Sequence, residues 1–111
     1  MKRIAFNPDL CSTNIFVSMA SGSQALYFHS LIIADPDGLV DRETAVKSAN
    51  STDEEMKELI EKGYVIDLGS VVAIKHWYIH NTRKPNQQAD TIYPDARDRL
   101  RVKAGIYFVK D

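Results

Sequence analysis

"TDEEMKELIEKGYVIDLGSVVAIKHWYI", residues 52–79, changes its apolar period halfway along. In the first half Met56, Leu59 and Ile60 stand at i, i+3 and i+4, which is one stripe of an amphipathic helix. Thr52 and Glu55 have the spacing of a capping box, so the helix opens there, and Gly63 ends it in the C′ position. Beyond Gly63 the apolar residues are largely β-branched. They form two runs, "YVID" and "VVAIKHWYI", joined by the short Gly-containing link "LGS". That pattern predicts a β-hairpin over residues 64–79.

Upstream, Asp41 can cap a helix over about 42–49, and "NST" turns the chain into the helix already described. "DPDG" at 35–38 is a breaker, because Pro36 lacks an N–H and Gly38 tolerates positive φ, and "GLVD" then forms a short extended piece. Before the breaker, "SGSQ" at 21–24 has capping-box spacing and opens a helix over about 22–34. That helix is apolar nearly all round, so it is central, and its His29 reads as a satisfied core histidine. Downstream, "HNTRKPNQQAD" has loop composition. Pro94 suits the first turn of a last helix over about 94–103, and "IYFV" suits a final strand. The order is helix, short strand, helix, turn, helix, hairpin. It predicts a mainly α fold with a small β-hairpin, a winged helix-turn-helix. Residues 1–93 form that domain, and 94–111 a helix and extended tail on or beside it. Leu26, Phe28, Leu31, Met56, Leu59, Ile60, Val65, Ile74 and Trp77 are the expected core.

Composition narrows the chemistry. With 111 residues, one modest core is expected. Apolar runs are too short to span a bilayer, and the start lacks a signal-peptide pattern. The single cysteine, Cys11, excludes an internal disulfide and fits a reducing cytoplasm. His76 and His80, placed on a strand, stand about 13 Å apart at roughly 3.3 Å per residue, too far to share a metal ion. In "DPDG" the twelfth position from Asp35 is Val46, where a calcium loop needs a carboxylate. Glycine-rich phosphate loops are absent and the carboxylates lie on a solvated helix face. The expectation is therefore no metal, no cofactor and no enzyme.

The net charge of −1 conceals a gradient. Residues 1–34 carry +1, residues 35–74 carry −6 from ten acidic and four basic side chains, and residues 75–111 carry +4 from eight basic and four acidic. A basic last third is compatible with nucleic-acid contact there.

"SQALYFHSLIIADPDGLVD", "STDEEMKELIEKGYVI" and "VVAIKHWYIHN" together resemble the N-terminal domain of phage replisome-organiser proteins, relatives of the bacterial DnaD replication-initiation proteins. The resemblance covers about residues 3–93. It is carried by "QALYFH", by Ala34-Asp35-Pro36-Asp37-Gly38-Leu39-Val40 and by "IKHW-IHN". After "IHN" the family's basic "I-KDRY-PT-Y" is replaced by "TRKPNQQADTIY", which keeps Arg83-Lys84 and Thr91-Ile92-Tyr93. The resemblance implies a winged helix, a role in starting phage or plasmid DNA replication in a bacterial cytoplasm, and association with itself or with other phage or host replication proteins.

Two uses of such a fold remain open. As a DNA binder, its third helix exposes Asp53, Glu54, Glu55, Glu58 and Glu61 against Lys57 and Lys62, a poor match to phosphates. DNA contacts are then expected at Lys75, Arg83, Lys84, Arg97, Arg99, Arg101 and Lys103. As a protein-interaction or oligomerisation module, or a small phage regulator or inhibitor without DNA readout, its partner face would be Glu54, Glu55 and Glu58 together with Ile4 and Phe6 of the arm "RIAFNP".

Overall fold

A computed structural model describes residues 6–81 and 91–110. Two short helices, α1 (Pro8–Cys11) and α2 (Asn14–Ser18), precede the long α3 (Ser21–Ile33). Then come β1 (Leu39–Asp41), α4 (Arg42–Ser48), α5 (Asp53–Glu61), β2 (Val65–Asp67), β3 (Val71–Ile74) and α6 (Trp77–His80). The chain closes with α7 (Pro94–Asp98) and the pair β4 (Leu100–Lys103) and β5 (Ile106–Val109). The protein is thus built of helices with two small antiparallel sheets, one of order β1-β3-β2 and one of β4-β5.

The local signals around α4 and α5 act as expected. Asp41 accepts the Thr44 N–H at 3.0 Å. The Thr52 hydroxyl accepts the Glu55 N–H at 3.2 Å, while the Glu55 carboxylate accepts the Thr52 N–H at 3.0 Å. Thr52→Ala removes one half of this reciprocal cap and should cost about 1 kcal/mol in a denaturant titration. At the other end Gly63 and Tyr64 donate back to Ile60 and Leu59. Gly38 has φ +81°, and a Cβ there would fall 2.5 Å from the Trp77 indole, so both conformation and space demand glycine.

Four expectations need correction. The "SGSQ" capping box is not made. Ala20 is the N-cap of α3, and Gln24 reaches back to the Val17 and Met19 carbonyls at 3.2 and 3.0 Å, holding the end of α2. The strand predicted to run to residue 79 stops at Ile74. Its neighbours end there: Val65 opens β2 opposite Ile74, and β1 begins at Leu39 opposite Ala73. Lys75 makes the last cross-strand bonds, its N–H to the Tyr64 carbonyl at 3.2 Å and its carbonyl to the Tyr107 N–H at 2.9 Å, and beyond it the chain turns into α6. His76 and His80 therefore sit one helical turn apart, not along a strand. The helix expected over 94–103 ends at Asp98, and 100–109 is a hairpin turned by Ala104 and Gly105, both at positive φ (54° and 79°). Consecutive positive φ values are what a tight two-residue hairpin turn requires. Finally, the interior histidine is His80, 4% exposed, whereas His29 is half-buried.

The core contains Leu26, Leu31, Met56, Leu59, Val65, Ile74 and Trp77, as the periodicity implies, with Phe28 and Ile60 only partly buried at its edge. Its centre is an aromatic triangle. Phe16, Tyr27 and Tyr64 meet edge to face at 5.4–5.6 Å between ring centroids and join α2, α3 and the start of the first sheet. His80 completes this side. Its Nδ1 accepts the Asn7 N–H at 2.7 Å and its Nε2 lies 2.6 Å from the Tyr27 hydroxyl, so one ring ties the N-terminal segment to α3 and α6.

Candidate nucleic-acid interface

The two sheets meet at Lys75. Its carbonyl accepts the Tyr107 N–H at 2.9 Å, so β5 starts where β3 has run out. Tyr107 is fully buried; its hydroxyl donates to the Asp37 carbonyl at 2.6 Å and its ring packs against Tyr78 at 5.5 Å. The Tyr78 hydroxyl donates to the Asp37 carboxylate at 2.8 Å. Burial raises both phenol pKa values above their ordinary range, which keeps the hydroxyls protonated as donors. This network bolts the β4–β5 hairpin to the turn between α3 and β1.

Because side chains alternate along a strand, the bolt determines what faces outward. Leu100 and Tyr107 point in. Arg101 lies opposite Phe108, and Lys103 opposite Ile106, on the other face. Lys75 from the end of β3 joins them: its Nζ stands 5.6 Å from the Phe108 ring centroid, and the Arg101 guanidinium 5.8 Å from it. Residues 99–110 carry Arg99, Arg101, Lys103 and Lys110 and no Asp or Glu. The hairpin's outer face is therefore a row of cations around one exposed aromatic ring, an arrangement that can hold phosphates.

The remaining expected DNA contacts fall elsewhere. Arg97 is half-buried, stacked 5.1 Å from the Tyr107 ring and bonded to the Leu100 carbonyl at 3.3 Å, so it supports the hairpin from within. Arg99 reaches the Leu68 carbonyl at 3.0 Å and lines a cleft of about 390 Å³ with Leu68, Ser70, Val71 and Tyr93. Arg83, Lys84 and Ile4 lie outside the described residues.

The acidic set divides as well. Glu54 is exposed, within 3.6 Å of Lys57. Glu55 completes its helix cap. Glu58 accepts the Ala20 N–H at 3.0 Å and so supplies the cap that α3 lacks. Hydrogen bonds from the Ser23 hydroxyl and from Ala20 hold its carboxyl below the usual carboxylate range. Asp53 pairs with Arg42 at 3.2 Å, and Arg42 also meets Asp67 at 3.2 Å. Phe6 packs edge to face on Phe28 at 5.9 Å yet stays half-exposed. Sequence reasoning missed Tyr107 and Phe108 as the residues that seat and crown the basic face. The signal was present in "RLRVK", an alternation of charge and aliphatic residue over 99–103.

Among the described residues no group of three His, Cys, Asp or Glu side chains could hold a metal ion, and no helix is long and apolar enough to cross a membrane. No family model, curated protein or solved structure matches the chain.

Proposed function

We propose that this chain is a winged-helix module of the replisome-organiser kind, one that associates with DNA without catalysis and does so through its C-terminal hairpin. The element order α3-β1-α4-α5-β2-β3, with β3 central between β1 and β2, supports the winged-helix reading. The observation that carries the DNA reading is the outer face of β4–β5, where Lys75, Arg101 and Lys103 converge on a surface free of carboxylates over residues 99–110. The helix that would enter the major groove in the usual mode is α5. Its exposed end presents Asp53 and Glu54, which repel phosphates, so α5 serves the fold and the hairpin serves the DNA. A link to replication initiation rests on the sequence resemblance.

Phosphate contacts hold all sequences alike. The double variant Arg101→Gln/Lys103→Gln should weaken duplex binding irrespective of sequence. It should also lower the slope of log affinity against log salt by about 2, since each phosphate neutralised contributes about 0.9. Fluorescence anisotropy over a salt series measures this. An unchanged slope, with binding abolished by Lys57→Ala, would restore α5 as the recognition helix.

A mainly protein-contacting role has its own supporting observation. Ile15 and Val17 on α2, and Phe6 ahead of α1, are each more than half exposed. Absence of DNA affinity at about 50 mM salt, where electrostatic binding is strong, combined with a mass above the monomer in light scattering, would favour that role.

A further inference from the structure

We infer that the outer face of the β4–β5 hairpin is a single-stranded DNA site, in which Phe108 stacks an unpaired base while Lys75, Arg101 and Lys103 hold the neighbouring phosphates. The inference rests on the DNA reading above and narrows it to one form of the ligand. Contact with a duplex needs cations alone, since its bases are already stacked and its phosphates face outward. An aromatic ring at the centre of a cationic strand face suits a strand whose bases are free, because every base has a π-face and the stacking is sequence-tolerant.

Phe108 has that position. The burial of Tyr107 forces the next side chain outward, so Phe108 is 36% exposed and adds little to the core. Arg101 and Lys103, two residues apart on one face of β4, give a cation about every 7 Å at 3.3 Å per residue, and Lys75 supplies a third from the end of β3. Of the two cations now resting against the ring, Arg101 is exposed and Lys75 half-buried, and an exposed cation–π contact such as that of Arg101 is weaker than base stacking on an aromatic side chain. An incoming base can therefore displace Arg101 from the ring and leave that charge free to meet a phosphate.

The test uses the full chain with a labelled dT oligomer, an rU oligomer and a DNA duplex of equal length, at about 50 mM salt, where electrostatic binding is strong. Phe108→Leu keeps an apolar strand residue but removes the π-face. It should weaken dT binding about tenfold, the loss of one stacked base, weaken duplex binding far less than dT binding, and be rescued by Phe108→Trp. Equal dT binding by Phe108→Leu and the native protein would overturn the inference, and if Arg101→Gln/Lys103→Gln still weakens both DNA forms, the broader DNA reading survives. A tighter hold on rU than on dT would overturn the assignment to DNA. Failure of the native protein to bind dT or duplex would overturn both readings together.

Discussion

Tyr107→Ala should cost about 3–5 kcal/mol and should release the C-terminal hairpin before the rest of the domain unfolds. The magnitude is that of a large aromatic core residue cut to alanine. Four observations place Tyr107 in that class: it is fully buried, it packs on Tyr78, it carries the Arg97 guanidinium over its ring, and its hydroxyl donates to the Asp37 carbonyl. Tyr107→Phe separates the contributions. It keeps the ring and removes the hydroxyl, so the Asp37 carbonyl loses this buried donor, and it should cost about 1–3 kcal/mol. Denaturant titration reads both values. Limited trypsin digestion reads where the damage falls, with cleavage expected after Arg99, Arg101 and Lys103 in the alanine variant before any cut at Arg42 or Lys47 of α4 or at Lys57 of α5. A loss below about 1 kcal/mol would mean that the hairpin does not depend on this bolt.

The second large effect is on the acid side of neutrality. Burial, with a smaller contribution from His76, pushes the His80 pKa down to about 4. The sign follows from linkage. The unfolded chain takes up a proton near pH 6.5 and the folded chain does not until about pH 4, so stability is full above pH 6.5 and falls between those values. The expected loss is about 2 kcal/mol at pH 5 and about 3 kcal/mol at pH 4 relative to pH 7.5. His76, whose pKa burial and the Lys75 charge also lower, adds to the same trend. Structurally, a proton on His80 Nδ1 evicts the Asn7 N–H that it now accepts, so the N-terminal segment should loosen first. Denaturation curves at pH 7.5, 6.5, 5.5 and 4.5 would show the slope. His80→Gln should lower stability at neutral pH and flatten most of the dependence above pH 4.5. A native slope retained in that variant would mean that His80 is not the group being titrated.

These effects involve residues whose roles differ in how far the sequence foretold them. The α4–α5 region was legible because its determinants are local. Asp41 caps within three residues, Thr52 and Glu55 cap each other, Gly63 closes the last turn, and Met56 and Leu59 face inward by helical period alone. The same holds for the break at "DPDG", where Asp35 accepts the N–H groups of Asp37 and Leu39. It holds for the pairing of β2 with β3 across a short turn.

Tertiary structure decided the rest, for a physical reason that recurs. A β-rich run can remain a strand only while a neighbour accepts its hydrogen bonds. "VVAIKHWYI" has strand propensity throughout, yet its partners end opposite Ala73 and Ile74, and Trp77 is drawn over Gly38 with its indole N–H on the Pro36 carbonyl at 3.0 Å. That closure converts Trp77–His80 into a helical turn and carries His80 into the interior against Tyr27 and Asn7. Likewise Glu58 has the look of a solvated acid in sequence, and only the approach of α3 to α5 makes it the cap of Ala20. The basic residues of 97–103 are plain in the sequence. Which of them face out depends on Tyr107 finding Asp37 across 70 residues of chain, a pairing that sets the face of every side chain in the hairpin.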